Sequence, residues 1–472
     1  MTSNQRFSLA CLGVCIAFAA TCICAAAETP PTAPAGPAAG KRGFIMELSS
    51  LIGEYGGIRA IAPGARALAG SIRFAMEGDR FSPFVWSREN GLTMLATAGP
   101  ESWGTALFTS DDGGVIIGLI HKEDVAQAGF IWRPGFPTIV TNNEFSLFRV
   151  SWVGLTANGL IAAGSNRSRH GFLVENGERL VLLPGARNFN YDIEAWKTEP
   201  TIPRDDGSLP DDEWVDRGEP LEAMSRDGSR FSFVDFVMDA DRREIWWPTL
   251  AGLRPGQLYR EDGTPVERPA KKREEGVLHY RPLRKDSPDH PLPLKDDAIL
   301  SRISLTHLSY DGSYVLGSVT VSYPLSPKDR TRDLMLRIFT EGGSVDMERE
   351  EFVVRWDADG NAVLVASGDR MRPVAISDDG RTVLVRDGYD IPHIWKEGER
   401  LVTLREFLKG YGLVLPEEYA TRMWRLVMSP DGRCFSGSLP VNGPRSRSIL
   451  ACVCEEGEEL PAVPSWETPG ER

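Results

Sequence analysis

The sequence predicts an all-β protein, a seven-bladed β-propeller with long surface insertions. A short hairpin pattern occurs seven times, and a second strand-like element follows each copy. The short intervals between copies are 46 to 52 residues, which is the length of a four-stranded propeller blade. A β-solenoid or two smaller β domains remain alternatives, because the longer intervals could hide a break between domains.

The N-terminal segment predicts export. One basic residue, Arg6, precedes an apolar run from Phe7 to Cys24, and small residues follow as far as Ala27. This order is typical of a secretory signal peptide, with an uncleaved membrane anchor as the alternative. We therefore expect a secreted or periplasmic protein.

The remaining chain divides by composition into three parts. After a signal peptide at residues 1–27, a Pro/Ala-rich linker is expected at 28–43. The repeats then define a propeller domain at 44–460, and a disordered acidic tail is expected at 461–472.

Charge and hydropathy limit the partners. The formal net charge is −13, and no basic stripe interrupts it, so we expect no nucleic-acid binding. Nothing after the signal peptide is apolar and long enough to span a membrane. We expect a monomer with an unidentified protein or carbohydrate ligand.

The hairpin pattern reads apolar, Ser or Thr, any residue, Asp or Asn, Gly, two variable residues, apolar. Asp-Gly between apolar runs favours a two-residue hairpin turn, because Asp tolerates positive φ and Gly adopts it without steric cost. Asn158 replaces the Asp in one copy and Pro63 in another, as a turn allows and a catalytic carboxylate would not. In the clearest copy Asp378 fills the variable position, and we expect it to matter least. The seven copies place their glycines at Gly64, Gly113, Gly159, Gly228, Gly312, Gly380 and Gly432.

The second element is an aromatic or apolar pair one residue apart, followed by Gly and more apolar residues. It is clearest at 392–404, where it contains Trp395. Period-two alternation on both sides of a glycine is typical of a half-buried hairpin, and we expect its large side chains to lie between adjacent blades.

Two kinds of segment depart from the repeat. Residues 184–222 and 252–299 are dense in Pro and charge, so we expect long surface loops, where a propeller carries its binding chemistry. Leu401, Leu404, Phe407 and Leu408 share one face at helical spacing and predict a short amphipathic helix before the last repeat.

The later repeats resemble a known family. A Trp-bearing strand at His393–Trp395, hairpins at Ser377–Val385 and Ser429–Gly437, and the segment LREFLKGYGLVLPEE between them are similar to the HAF repeat family of exported bacterial proteins. The resemblance covers most of 44–455 but is strong only over about 370–455. It implies an extracellular or envelope-associated repeat protein and carries over no catalytic motif.

The sequence contains no local catalytic, cofactor or metal motif. Its six histidines have no metal-ligand spacing, and no G-x-S-x-G, Walker or dinucleotide pattern occurs. We therefore assign no catalytic, cofactor-binding or metal-binding residue and expect no cofactor. Asp357, Asp359 and Asn361 invite a calcium interpretation, but the Glu of an EF-hand loop is missing and Asp359-Gly360 again favours a turn.

Three cysteines remain after the signal peptide. If the last hairpin turns at Asn442-Gly443, Cys434 lies opposite Cys452. We therefore expect a disulfide between Cys434 and Cys452 that locks the final blade.

These observations favour a secreted, non-catalytic propeller that acts as a binding or scaffold module for protein or glycan at the cell envelope. The alternative is a propeller enzyme that acts on polysaccharide through carboxylates in its channel, since paired carboxylates are the usual machinery for glycoside hydrolysis. A self-associating structural envelope component is a third hypothesis.

Overall fold

The structure is a computed structural model. It describes residues 42–52, 56–73, 81–95, 103–122, 125–140, 150–165, 171–183, 221–233, 237–239, 245–246, 258–260, 265–266, 277–278, 292, 299–324, 347–368, 370–440, 446–455 and 457–458. The predicted signal peptide, nearly all of the predicted linker and the predicted tail lie outside these residues.

The described strands form seven four-stranded antiparallel sheets and one three-stranded sheet. Sheet 1 contains β2 (Gly57–Ile61), β3 (Ala67–Arg73), β4 (Phe81–Ser87) and β5 (Gly91–Met94). Sheet 2 contains β6 (Trp103–Thr109), β7 (Ile116–Lys122), β8 (Val125–Trp132) and β9 (Ile139–Val140). Sheet 3 contains β10 (Ser151–Leu155), β11 (Ile161–Ser165), β12 (Gly171–Glu175) and β13 (Arg179–Leu182). Sheet 4 contains β14 (Ala223–Met224), β15 (Arg230–Ser232), β16 (Val237–Asp239) and β17 (Ile245–Trp246).

Sheets 5 to 7 follow the three-stranded sheet. That small sheet has the order β19 (Pro265–Val266), β18 (Leu258–Arg260), β20 (Val277–Leu278). Sheet 5 contains β21 (Ile299–Leu308), β22 (Tyr314–Pro324), β23 (Met347–Asp357) and β24 (Ala362–Ser367). Sheet 6 contains β25 (Arg372–Ile376), β26 (Thr382–Arg386), β27 (Pro392–Lys396) and β28 (Val402–Thr403), and sheet 7 contains β29 (Trp424–Met428), β30 (Cys434–Pro440), β31 (Ser446–Cys454) and β1 (Arg42–Glu47).

These sheets form a β-propeller. The first strand of each sheet contacts the sheet before it, and β2 contacts β29, so the contacts return from sheet 7 to sheet 1. The strand order within sheets 1 to 6 follows the chain, which is the up-and-down arrangement of a propeller blade. The prediction of an all-β propeller is confirmed.

The two ends of the described chain meet in sheet 7. β1 pairs antiparallel with β31 and places Phe44 opposite Cys452. β1 begins at Arg42, inside the segment that the composition assigned to the linker. The final sheet therefore takes three strands from the end of the repeats and its fourth from their beginning.

Cys434 lies directly opposite Cys452 in sheet 7, and the two form a disulfide with Cα atoms 4.2 Å apart. Cys454 is buried outside the disulfide, and its Sγ donates to the backbone oxygen of Glu458. The disulfide joins the two central strands of the sheet that β1 completes.

Large aromatic side chains pack between sheets, as the second element predicted. Trp86 of sheet 1 belongs to a core cluster that includes Cys452 of sheet 7, and Trp395 of sheet 6 belongs to one that includes Val353 of sheet 5. Trp356 is fully buried in a cluster that includes Ala223 of sheet 4. Burial of about 150 Å² or more per ring makes these contacts a large part of the cohesion between sheets.

Helices are short in the described chain. They are α1 (Ser49–Ile52), a 3₁₀ turn (Pro63–Ala65), α2 (Leu404–Lys409) and α3 (Glu417–Thr421). α2 confirms the predicted amphipathic helix: Leu404 and Leu408 are buried, and the side chains of Thr403 and Glu406 form a capping box at its start. Among the described residues, no helix combines the length and the apolar character that a membrane crossing needs.

The strand order gives the ring two distinct faces. At the turn face lie the Ser-x-Asp-Gly turns between first and second strands and the turns between third and fourth strands. At the connection face lie the loops between second and third strands and every connection between sheets. The predicted insertions at 184–222 and 252–299 join consecutive sheets, so both leave and return at the connection face, although most of their residues lie outside the described part.

Candidate functional site

Each Ser-x-Asp-Gly turn is held by one hydroxyl and one carboxylate. In sheet 6 the Ser377 hydroxyl donates to Asp379 Oδ1 at 2.6 Å, and the same oxygen accepts the Arg381 backbone N–H at 2.9 Å. The backbone N–H of Thr382 donates to Ser377 Oγ at 2.9 Å. Ser377 is buried, and its hydroxyl both donates one hydrogen bond and accepts another, which removes the cost of an unsatisfied hydroxyl.

The structure corrects the reason for the Asp-Gly pair. Gly380 has φ +70°, but none of the turn Asp or Asn residues has a positive φ. Gly380 N–H donates to the Ser377 carbonyl, so a type I turn precedes the left-handed glycine in a loop longer than two residues. The Asp is thus present as a hydrogen-bond acceptor, and Asn158 serves equally because its Oδ1 makes the same two bonds.

The first copy lacks both the Ser and the Asp. Its left-handed positions are Gly64 and Ala65, with φ +60° and +52°. The backbone hydrogen bonds of the turn align Ala65, rather than Gly64, with the glycine of the other copies. The Gly64 N–H instead donates to Asp431 Oδ2 of sheet 7 at 2.6 Å. The degenerate turn therefore depends on a carboxylate from the neighbouring sheet.

The turns bond to one another across the turn face. The variable position is the x of each Ser-x-Asp-Gly turn. A backbone N–H at this position, or at the residue after it, donates to the backbone carbonyl at the variable position of the following sheet, over 2.6 to 3.0 Å. We call this chain of bonds the turn belt. It links Asp111 to Ala157, Ala157 to Arg226, Asp227 to Tyr310, Tyr310 to Asp378, and Asp378 to Pro430. The variable positions lie close to the axis of the ring, because only there do the turns of successive sheets meet.

Three variable positions carry charges that meet. Arg226 of sheet 4 bonds through Nη2 to Asp111 of sheet 2, and its Nε lies 3.7 Å from Asp378 Oδ1 of sheet 6. We call Asp111, Arg226 and Asp378 the axial clasp. The expectation that Asp378 matters least is therefore wrong. A comparison of the repeats shows only that the residue type at this position varies, whereas the side chains at this position contact one another only when the ring is closed.

The axial clasp bears on the enzyme alternative, which needs carboxylates outside the Asp-Gly pairs near the axis. Asp111 and Asp378 meet that description, and burial raises the pKa of Asp378 although Arg226 opposes the shift. However, the guanidinium of Arg226 contacts both carboxylates, so neither faces the other across open space. The arrangement suits an electrostatic brace better than an acid and base pair.

The calcium candidate is a self-contained turn. Asp357 Oδ1 accepts the backbone N–H groups of Asp359 and Asn361 at 3.0 and 2.8 Å, and its Oδ2 accepts Asn361 Nδ2. Gly360 has φ +86°. Both carboxylate oxygens of Asp357 are therefore used within the loop. The described part of the chain has no group of three His, Cys, Asp or Glu side chains that could hold a metal.

A charged aromatic patch lies at the connection face between sheets 6 and 7. Asp390 Oδ2 accepts Trp424 Nε1–H at 3.0 Å and lies 3.8 Å from Arg422 Nε, while its Oδ1 accepts from Arg386 at 3.3 Å. The Arg422 guanidinium lies 4.6 Å from the Trp424 ring centroid. Tyr389 beside them is 72% exposed and Trp424 is 39% exposed. We call Arg386, Tyr389, Asp390, Arg422 and Trp424 the Asp390 patch.

The backbone fixes the Asp390 patch. Asp387 Oδ1 accepts the backbone N–H groups of Tyr389 and Ile391, both at 2.9 Å, which closes the loop. The Asp390 carbonyl accepts the Met423 N–H at 2.9 Å and ties this loop to sheet 7. Sequence reasoning missed the patch, because its members lie on two repeats, although the aromatic between acids in DGYD is a signal that could have found Tyr389.

Two arginines lie beside the Asp390 patch on adjacent first strands. Arg59 is in β2 and Arg425 is in β29, at irregularities in the pairing of each strand with its neighbour. A guanidinium nitrogen of Arg425 lies 3.5 Å from the position that a Cβ on Gly57 would occupy. Burial, together with the charge of Arg425, lowers the pKa of Arg59 to about 10.

No protein-family model matches the chain, and no curated protein matches it either. Solved structures with a similar fold include the β-propeller domain of Cps50 (Swd1) from Myceliophteria thermophila, at 12% identity over 86% of this chain and 99% of that one, with a TM-score of 0.41. An oligogalacturonate lyase in complex with manganese has 10% identity over 88% and 98%, with a TM-score of 0.42. A chain of the mitotic checkpoint complex has 11% identity over 91% and 98%, with a TM-score of 0.36.

Proposed function

We propose that this chain is an exported, non-catalytic binding module of seven blades that holds a protein ligand at its connection face. The Asp390 patch is the observation that carries this proposal. Trp, Tyr and Arg are the residue types that dominate binding energy at protein interfaces. Tyr389, Arg422 and Trp424 bring all three together on a surface that is already ordered before any ligand binds.

Preorganisation supports this choice. Binding costs free energy when side chains must be ordered at the interface, about 0.5–1.5 kcal/mol for each flexible side chain. In the Asp390 patch the indole is already held by Asp390, and one guanidinium is already stacked on it. Binding of a ligand at this patch therefore loses less free energy to side-chain ordering than binding at a flexible surface would.

The remaining parts of the proposal rest on the sequence and on the sheets. Seven sheets with the strand order of a blade favour seven blades. The signal peptide expected at 1–27 and the resemblance to the HAF repeat family favour a place in the envelope or outside the cell. The Cys434–Cys452 disulfide suits an oxidising compartment.

Binding to envelope proteins and to a glycan array tests the proposal with three forms of the chain from Glu28. The wild type is compared with a Tyr389→Ala, Trp424→Ala double variant and with Phe136→Ala. Phe136 is 70% exposed but lies between β8 and β9, at the turn face, so it is a matched control for loss of an exposed aromatic side chain.

We expect a saturable protein ligand whose affinity falls at least about 30-fold in the double variant, since two hot-spot aromatics are lost. Phe136→Ala should bind like the wild type. Binding that survives the double variant would contradict the proposed site. Glycan binding that depends on the patch would replace protein by carbohydrate as the ligand, and release of sugar fragments from polysaccharide would favour the enzyme alternative.

A further inference from the structure

The connection face holds two arginines that no carboxylate of the described residues neutralises. Among the described residues, neither Arg59 nor Arg425 has an ion-pair partner, and the buried Nε of Arg59 has no hydrogen-bond acceptor. The net charge of the whole chain is −13, and described arginines such as Arg226 and Arg355 do meet an acid. Arg425 is exposed and Arg59 is partly buried, but the Nε of Arg59 is itself buried, and a buried donor without an acceptor costs free energy that a ligand acceptor would recover.

The backbone of Arg425 adds an independent observation. Arg425 has φ +51°, in the left-handed region that a non-glycine residue rarely adopts. It lies where the pairing of β29 with β30 is irregular, between Trp424 and Val427. Strain of this kind clusters at ligand sites, where it fixes the direction of a side chain.

The two arginines converge because β2 and β29 are neighbours at the seam between sheets 1 and 7. Arg425 extends over Gly57, two residues before Arg59, and a Cβ at position 57 would contact the Arg425 side chain. Burial first, and the charge of Arg425 second, lower the pKa of Arg59 to about 10, so Arg59 is still cationic at neutral pH.

We propose that Arg59 and Arg425 form an anion-binding site at the connection-face end of the axis, which takes a carboxylate or phosphate group of the ligand. The proposal deepens the proposed function, since it rests on a ligand at this face and adds the chemistry of one of its groups. Guanidinium groups bind both anions through paired N–H donors. An anion between them would neutralise two cations and satisfy the buried Nε of Arg59.

The neighbouring hydroxyl groups do not compete for this role. Ser438 Oγ and Ser448 Oγ are hydrogen-bonded to each other at 2.7 Å, and Ser448 Oγ also donates to the Gly56 carbonyl. Arg422 is already shared between Asp390 and the Trp424 ring. Among the described side chains at this end of the seam, Arg59 and Arg425 therefore remain as donors for a ligand.

Thermal unfolding and calorimetry with inorganic phosphate and with succinate test the proposal on the whole chain from Glu28. Sodium chloride at the same ionic strength serves as the reference, so that general screening cancels. We expect Tm to rise with phosphate, with succinate or with both, following mass action, and not with chloride. The anion that acts distinguishes a phosphate ligand from a carboxylate ligand.

Two variants and one control give the test its specificity. Arg59→Met keeps the volume and removes the charge, and Arg425→Gly removes the side chain while retaining a backbone that tolerates positive φ. Each should weaken the anion affinity at least about tenfold, the loss of a charge-assisted hydrogen bond. Arg372→Gln, an exposed arginine at the start of β25 on the same face, should leave the affinity unchanged.

Absence of any anion-specific rise in the wild type, or an undiminished rise in both Arg59→Met and Arg425→Gly, would overturn the anion site. Neither result would contradict protein binding through Tyr389 and Trp424, because that binding is measured in a separate experiment. Loss of protein binding only in the double aromatic variant, with no anion effect, would thus leave the proposed function standing without this site.

Discussion

At the scale of the residue, Asp379 holds its turn through a single carboxylate oxygen. Asp379 Oδ1 accepts from the Ser377 hydroxyl and from the Arg381 N–H, and its negative charge has no arginine partner within the turn. Asn158 makes the equivalent bonds in sheet 3. Charge is therefore dispensable at this position and the oxygen is not.

Substitutions at Asp379 test this distinction. Asp379→Asn should change the free energy of unfolding by less than about 0.5 kcal/mol, whereas Asp379→Ala should lower it by about 1–2 kcal/mol, because the Ser377 hydroxyl and one backbone N–H lose their acceptor. Urea unfolding measures both. Equal losses in the two variants would mean that the negative charge, not the oxygen, stabilises the turn.

His307 in β21 predicts a response to acid. Its Nδ1 lies 2.9 Å from the Thr306 hydroxyl, and burial lowers its pKa to about 4. The unfolded chain, with a His pKa of about 6.5, binds the proton first as pH falls. The free energy of unfolding should therefore be unaffected by this group above about pH 6.5 and fall by up to about 3 kcal/mol as pH decreases to 4.

Urea unfolding at pH 7 and pH 4.5 measures this effect in the wild type and in His307→Gln. The variant removes the titrating ring, so its loss of stability between the two pH values should be smaller by about 2 kcal/mol. An identical loss in both proteins would assign the acid response to other groups.

At the scale of the element, Arg355 joins sheets 5 and 6. Its guanidinium donates to the Gly380 carbonyl at 2.8 Å and to Glu397 at 2.6 Å. It also lies between two aromatic rings, 4.6 Å from the Tyr314 centroid and 5.0 Å from that of Trp395. One buried side chain thus combines an ion pair, a backbone bond and two cation–π contacts at a single interface.

Arg355→Ala should lower the free energy of unfolding by about 3–5 kcal/mol, because it breaks a buried charged contact and leaves a cavity between the rings. Arg381 is a matched control, since it pairs with the same Glu397 at 3.5 Å but is 69% exposed. Arg381→Ala should cost less than about 0.5 kcal/mol. Denaturant titration distinguishes these values, and similar losses would contradict a special role for Arg355.

The elements also show what the sequence could predict. The hairpins, the tryptophans between sheets and the helix at α2 follow from local periodicity, since each is determined by residues within one repeat. The axial clasp, the Asp390 patch and the pair Arg59 and Arg425 join residues from different repeats. A pattern that compares the repeats position by position discards such partners, because they occupy positions that vary between copies.

At the scale of the whole molecule, the closure of sheet 7 by β1 predicts a strong effect of N-terminal truncation. Deletion of residues 42–47 removes Phe44 and Met46 from contact with the core around Cys452, and it exposes the edge of β31. We expect a large fall in Tm and faster proteolysis, since an opened ring exposes apolar surface and an unpaired edge.

A deletion of residues 28–40 is the control for this truncation, because it shortens the chain without removing a strand of sheet 7. It should keep the wild-type Tm. Equal Tm values for the wild type and for the chain that lacks 42–47 would show that the strand is not needed to hold the ring together.

The pairing of β1 with β31 also sets the order of events in synthesis. β1 leaves the ribosome before the strands of sheets 1 to 6, and its partner β31 leaves after them, so the seam closes after those sheets have had time to form. Pro430 lies at the variable position of sheet 7 and lacks an N–H with which to continue the turn belt to sheet 1, and Pro63 lacks the corresponding N–H from sheet 1 to sheet 2. The Cys434–Cys452 bond joins β30 to β31 without β1, so it can form before the seam closes and hold the edge of β31 in place for β1.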